Sequence, residues 1–177
     1  MMAGLDESRP FIALNIVVLT ISDTRTEADD VSGKTLVERI EKSGHTVRFK
    51  RIVRDDQAAI EESLKECIAD KTVDVVVSTG GTGLTGRDVT PEAFAAVYEK
   101  QIPGFGELFR AQSYETIGTS SLQSRATGGM AGGTYLFALP GSPGACRDGW
   151  DKILQYQLDN RFRPCNLVEI LPRLQEV

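Results

Sequence analysis

The sequence predicts an α/β fold: a parallel, doubly wound sheet with helices on both faces. Two observations carry this. Short β-branched apolar runs, such as "ALNIVVLTIS" at 13–22 and "VDVVVS" at 73–78, lack the alternation of a half-exposed strand and suit strands buried on both faces. These runs alternate with segments whose apolar residues recur at helical spacing, the pattern that joins parallel strands through crossover helices.

The elements follow in order. Residues 1–10 read as a loose leader, with a single domain over 11–177. After the strand at 13–22, a helix is expected from about Ser32 to Ser43, with Leu36, Val37 and Ile40 on one face and Gly44 stopping it. "TVRFKRIV" at 46–53 is a second strand, and "DDQAAIEESLKECIAD" a second helix carrying Ile60, Leu64, Cys67 and Ile68 on one stripe. The strand at 73–78 runs into a glycine-rich loop. Thr90 and Pro91 then start a helix, Thr as N-cap and Pro in the first turn, with Glu92 near the positive helix end. "PEAFAAVYEK" and "GFGELFRAQSYETI" are helical around Pro103-Gly104. "TYLFAL" at 134–139 is a buried strand, preceded by glycines suited to a turn from a short partner strand. "GACRDGWDKILQYQLDN" is the last helix, and the proline-interrupted tail is expected to be irregular.

Composition narrows the function. At 41% hydrophobic and 25% charged, the chain of 177 residues is ordinary for a soluble globular domain. A net charge of -5 argues weakly against a nucleic-acid surface but leaves room for a phosphate-bearing small ligand. No early segment has the pattern of a signal peptide, and "FIALNIVVLTI" is too short to span a bilayer, so a cytoplasmic location without membrane contact is expected. Cys67, Cys146 and Cys165 form no C-x-x-C pair and indicate neither a disulfide framework nor zinc. His45, the single histidine, follows Gly44 at a helix-to-strand corner and is expected to face solvent.

The stretch "STGGTGLTGRDVTPEA" at 78–93 carries the chemistry. Gly81 to Gly86 match G-x-G-x-x-G, but the helix starts only at Thr90-Pro91, whereas in a dinucleotide site it opens within the motif. A Walker loop is excluded because Arg87-Asp88 stand where Lys and Ser/Thr are needed. Four glycines in seven residues cost more backbone entropy than a plain connection warrants. Exposed N–H groups beside a helix N-terminus form an anion cradle. Asp88 next to that cradle repels an anion unless a cation intervenes, and Mg²⁺ suits a few carboxylates plus phosphate oxygens. An Asx-type turn is the other role open to Asp88. In such sheets ligands bind at the carboxyl ends of strands. The loops at 20–33, 79–90 and 140–144 stand there.

The same residues give a specific resemblance. "STGGTGLTGRDVTPEA", with "TISDTR", "DDVSG", "PGFGELFR", "GTSSLQSRA" and "ALPGSPGAC", is similar to the molybdenum-cofactor biosynthesis family, which includes the bacterial MoaB and Mog proteins and the G domains of gephyrin and its plant relative. It runs from about Ala13 to Asn166, and "QLDNRFRPCN" is similar to the MoaB branch. The resemblance implies a three-layer α/β/α sandwich with a mostly parallel sheet. It implies adenylylation of molybdopterin: the terminal phosphate of the pterin attacks the α-phosphate of ATP and releases pyrophosphate. It implies a homo-oligomer, hexameric in MoaB-like and trimeric in Mog-like members, beside other proteins of the pathway.

One family carboxylate maps onto Asp88. The other follows the second strand, where the register through "QAAIEESL" gives Asp55, with Asp56 the alternative because Arg54 replaces a proline. Asp55 and Asp88 are the implied catalytic pair, holding Mg²⁺ on the ATP phosphates. Gly80, Gly81, Thr82 and Gly83 are expected to meet phosphate or pterin, joined by Thr90. Ser22, Asp23 and Gly33 are expected to line a nucleotide loop, and Gly141 and Ser142 to close the far side. Arg87 adds positive charge or lies on the surface. The alternative function is a non-catalytic molybdopterin carrier or scaffold.

Overall fold

The computed structural model describes residues 3–176. A six-stranded sheet contains β2 (Asn15–Ile21), β3 (Thr46–Val53), β4 (Val75–Thr79), β5 (Lys100–Gln101), β6 (Thr127–Ala131) and β7 (Thr134–Leu139) in the order β3-β2-β4-β7-β6-β5. The first four in that order are mutually parallel, and β6 and β5 add antiparallel edges. Helix α1 (Val31–Lys42) links β2 to β3, and α2 (Gln57–Ala69) returns the chain past β2 to β4. That reversal makes the carboxyl ends of β2 and β4 a topological switch point, where this class of sheet opens a ligand crevice.

Alternate strand residues feed two cores. Ile16, Val18, Val75, Val77, Tyr135 and Phe137 pack with Leu36 and Ile40 of α1 and with Phe105 and Phe109 of α4 (Pro103–Ile117). Val17, Leu19, Val76, Leu136 and Ala138 pack with Ile60, Leu64 and Cys67 of α2 and with Ala93 and Phe94 of α3 (Thr90–Val97). The fold is therefore the expected three-layer α/β/α sandwich. β6 and β7 are joined through Gly132 and Gly133, both at positive φ, as a tight right-twisted hairpin requires.

Four local expectations are corrected. The leader, of which residues 1 and 2 lie outside the described range, is tied down: β1 (Gly4–Leu5) pairs with β8 (Phe162–Arg163), and Arg9 bonds Glu169 at 2.6 Å. The tail is correspondingly less irregular, with α7 (Leu167–Ile170) after that strand. The last helix begins as α5 (Pro143–Gly149), widens into a π-helical stretch at Trp150–Leu154 and ends in α6 (Gln155–Gln157). His45 does not face solvent. It is 5% exposed, and its Nδ1 accepts the Leu14 N–H at 3.1 Å, because the segment before β2 crosses over the corner.

Candidate functional site

The loop after β4 is shaped by contacts that only glycine allows. Gly80 has φ +108°, and a Cβ there would lie 2.3 Å from the Ile21 carbonyl oxygen. Gly81, at φ +63°, would put one 2.3 Å from Thr90 Oγ1 and 2.9 Å from Asp55 Oδ1. Thr90 is not the N-cap expected of it. It is the first residue of α3, and its hydroxyl instead donates to Gly80 O at 3.0 Å while its N–H donates to Gly81 O at 3.0 Å. The start of α3 thus holds the glycine loop in place.

Three loops converge on this point. Gly141, after β7, packs against Gly80, and its carbonyl accepts from Arg25 and from Ser32 Oγ, each at 2.8 Å. Beneath them Asp30 is fully buried and caps α1 through the Gly33 N–H at 2.9 Å, while also accepting from Thr20 Oγ1 and Lys50 Nζ, both at 2.8 Å. Gly33 is therefore buried under Asp30, where a Cβ would collide with the carboxylate, and its amide is already used. Ser22 Oγ accepts from the N–H groups of Thr24 and Arg25, so it shapes the first-strand loop.

Between the glycine loop, the 140–142 loop, α4 and α5 lies a cavity of about 540 Å³. Gly81, Thr82, Gly83, Asp88, Gly141 and Ser142 line it, so six of the expected residues share one wall system. Phe109 and Ile117 make its apolar side, Asp148 contributes a second carboxylate, and among the described residues no lysine or arginine lines it.

The two carboxylates expected to work together are neighbours with opposite environments. Burial, reinforced by the negative charge of Asp88, pushes the Asp55 carboxyl above the usual range, and its Oδ1 is buried without a hydrogen-bond partner. Hydrogen bonds from the Thr85 side chain and backbone hold Asp88 below that range, at 2.6 and 2.9 Å. Asp88 thus makes the turn contact and faces the cavity as well. Asp56, the alternative to Asp55, is exposed and spent on capping α2 through the Ala59 N–H at 3.0 Å. Asp23 accepts the Asp55 N–H at 3.2 Å and pairs with Arg87, whose side chain is exposed at the surface and does not line the cavity. Among the described residues no three His, Cys, Asp or Glu gather around one point. A divalent cation held by Asp55 and Asp88 therefore needs oxygens from ligand and water, the habit of Mg²⁺ rather than of zinc. The orphaned Asp55 oxygen beside a second carboxylate fits such an ion.

Arg125 was not singled out from the sequence. Its side chain donates to Gly83 O at 2.7 Å and to Asp88 O at 2.5 Å, and pairs with Glu92, while its N–H donates to Thr82 O at 3.2 Å. One guanidinium clips the loop at several points. It lies 37 residues beyond Asp88, so no local pattern reports it.

A mostly parallel α/β/α sheet thus places a glycine-rich loop and two neighbouring carboxylates at its switch point, where sheets of this class bind ligands. Comparison with known proteins gives the family. A family model described as "Probable molybdopterin binding domain" matches residues 17–160. The chain is 48% identical over 159 residues to Molybdenum cofactor biosynthesis protein B of Escherichia coli, covering 90% of this chain and 94% of that one. It is 48% identical over 142 residues to the protein of the same name from Bacillus anthracis, covering 80% and 84%. A crystal structure of Molybdenum cofactor biosynthesis protein B superposes with a TM-score of 0.86 at 40% identity, over 96% of this chain and 100% of that one. The tungsten cofactor synthesizing protein MoaB from Pyrococcus furiosus gives 0.77 at 34% identity, over 93% and 98%. The chain belongs to the molybdenum cofactor biosynthesis protein family. Among its described residues no helix is long and apolar enough to cross a membrane.

Proposed function

We propose that this protein binds molybdopterin in the 540 Å³ cavity and adenylylates it with ATP. The observation that supports this most is the Asp55–Asp88 pair behind Gly81, beside the glycine loop of a cavity with a mostly apolar lining. The terminal phosphate oxygen of the pterin attacks the α-phosphorus of ATP, the new P–O bond forms as the α–β bond breaks, and pyrophosphate leaves. The N–H groups of Gly81 and Thr82 hold the incoming phosphate in line, since such transfers depend on positioning and charge neutralisation more than on covalent help. The Gly83 N–H is given to Asp88. Asp55 and Asp88 hold Mg²⁺, which supplies positive charge to the reacting phosphates and the leaving group. Asp23, pinned by Arg87, orients the Asp55 backbone. The protein works in the cytoplasm as a homo-oligomer, a hexamer in preference to a trimer, beside other proteins of the pathway.

The test is incubation of the unmodified protein with purified molybdopterin, ATP and Mg²⁺. Formation of adenylyl-molybdopterin with stoichiometric pyrophosphate is expected. Tight pterin binding without an AMP adduct overturns the transferase and leaves a carrier, a role in which Asp88 serves only its turn with Thr85.

Two further outcomes are expected. Asp55→Asn removes a buried, unpartnered charge, so the ligand-free variant unfolds at higher urea at pH 7, by about 1 kcal/mol. The sign follows from the raised carboxyl: its cost is present above the folded pKa and relieved as pH falls through it. Equal or lower stability counts against the orphaned charge. Arg125→Ala frees the glycine loop and is expected to weaken molybdopterin binding about tenfold or more, as charge-assisted bonds of this kind contribute roughly 1.5–3 kcal/mol. Arg125→Lys restores little, because one ammonium cannot reach acceptors that a planar fork spans. Fluorescence titration of each variant measures the loss.

A further inference from the structure

Asp148 has no part in the adenylyl transfer described above, yet it is one of only two carboxylates on the cavity wall. It sits on α5, six residues beyond Ser142, and at 1.5 Å per helical residue that places it about 9 Å along the helix axis from Ser142. The same cavity is lined by Phe109 and Ile117 on α4 and by Ala145 on α5, together with the polar Ser113, Thr116 and Gln123. Its side chain is 29% exposed, and Lys152 approaches one oxygen at 3.2 Å from the next turn. A carboxylate accepts about four hydrogen bonds, so that contact leaves acceptors free and steadies the group. The cavity thus brings together the glycine loop, a mostly apolar wall and, apart from Asp88, one further carboxylate.

We propose that Asp148 recognises the 2-amino-4-oxopyrimidine edge of the pterin, a proposal that rests on the molybdopterin reading of the cavity. That edge presents a ring N–H and an exocyclic NH₂ side by side. Two parallel donors match the two oxygens of one carboxylate, as in other bidentate pairs. The aromatic and aliphatic walls cover the ring faces. A 2-oxo ring turns an acceptor toward the carboxylate and is rejected, because a site built to receive a donor discriminates strongly against a group that leaves it unpaired.

The test uses intact protein and bound molybdopterin, displaced by pterin, by lumazine (its 2,4-dioxo counterpart) or by guanosine. Circular dichroism checks that Asp148→Asn and Asp148→Ala are folded. Wild type is expected to favour pterin over lumazine tenfold or more. In Asp148→Asn molybdopterin affinity falls at least tenfold and the pterin-to-lumazine ratio drops toward one, while Asp88→Asn leaves that ratio unchanged. Molybdopterin binding that persists with an unaltered ratio in both Asp148 variants overturns the role of Asp148 and spares the molybdopterin reading. Absence of molybdopterin binding by the wild type overturns both. Guanosine carries the same edge on a different ring system, and displacement by it in preference to pterin overturns the pterin assignment.

Discussion

Asp88→Asn is expected to lower the rate of adenylyl-molybdopterin formation by a factor of a hundred or more with the fold intact. The asparagine keeps an oxygen where Asp88 Oδ2 accepts from Thr85, so the turn survives and only the charge is lost. The consequence falls on the cation. On the proposed reading, with one of two anionic ligands gone, Mg²⁺ would bind more weakly and neutralise the reacting phosphates less well, and removal of one such transition-state contact commonly costs two to three orders of magnitude. Raising Mg²⁺ should recover part of the rate in Asp88→Asn and in Asp55→Asn. Initial rates across a Mg²⁺ series measure this. An unaltered rate in both variants excludes the pair as the metal site, and a lost rate without magnesium rescue points to a structural role. The Asp88→Asn variant should also relieve Asp55, whose carboxyl is raised by burial first and by the Asp88 charge second.

Much of this site was legible in the sequence because its parts are local. The uniform apolar runs mark strands buried on both faces, and the structure places alternate residues of β2, Ile16 and Val18 against Val17 and Leu19, in two different cores. The glycine loop was legible because φ values of +108° and +63° admit little else. What stayed hidden depends on contacts distant along the chain. The Thr90 hydroxyl has an N-cap's identity but meets a carbonyl ten residues back. Gly33 belongs to a motif near the site, but only the folded chain shows its amide given to a buried Asp30. Arg125 needed the pairing of β6 with β7 to arrive at the loop. Adjacent in sequence, Asp55 and Asp56 part in the structure, since Asp56 closes α2 and Asp55 lies against Gly81, a difference that spacing alone does not show.

His45 shows the same lesson in energetic form, and gives the largest expected effect on stability. Its Nδ1 accepts an N–H from Leu14, so that nitrogen carries no proton, and Nε2 is buried with no partner between Phe11 and Trp150. Burial pushes the imidazole down to about 4, with the Asp159 carboxylate opposing only in part. The sign is fixed by linkage. Between the ordinary value of 6.5 and about 4 the unfolded chain takes up a proton that the folded chain refuses, so stability is full above pH 6.5 and falls as the pH drops toward 4. The loss across that window is roughly 3 kcal/mol at 1.36 kcal/mol per unit. Asp30 and Asp159 are both depressed below the usual carboxylate value, so their contributions are lost only at lower pH, while the raised Asp55 works weakly in the opposite direction. Since the chain has a single histidine, the slope in the upper part of this window, above the carboxylate range, belongs to His45. His45→Asn keeps an acceptor for the Leu14 N–H but does not titrate. Urea unfolding at pH 7, 5.5 and 4.5 should show a steep decline in the wild type and a nearly flat profile in the variant. Parallel declines in the two proteins would remove His45 as the cause.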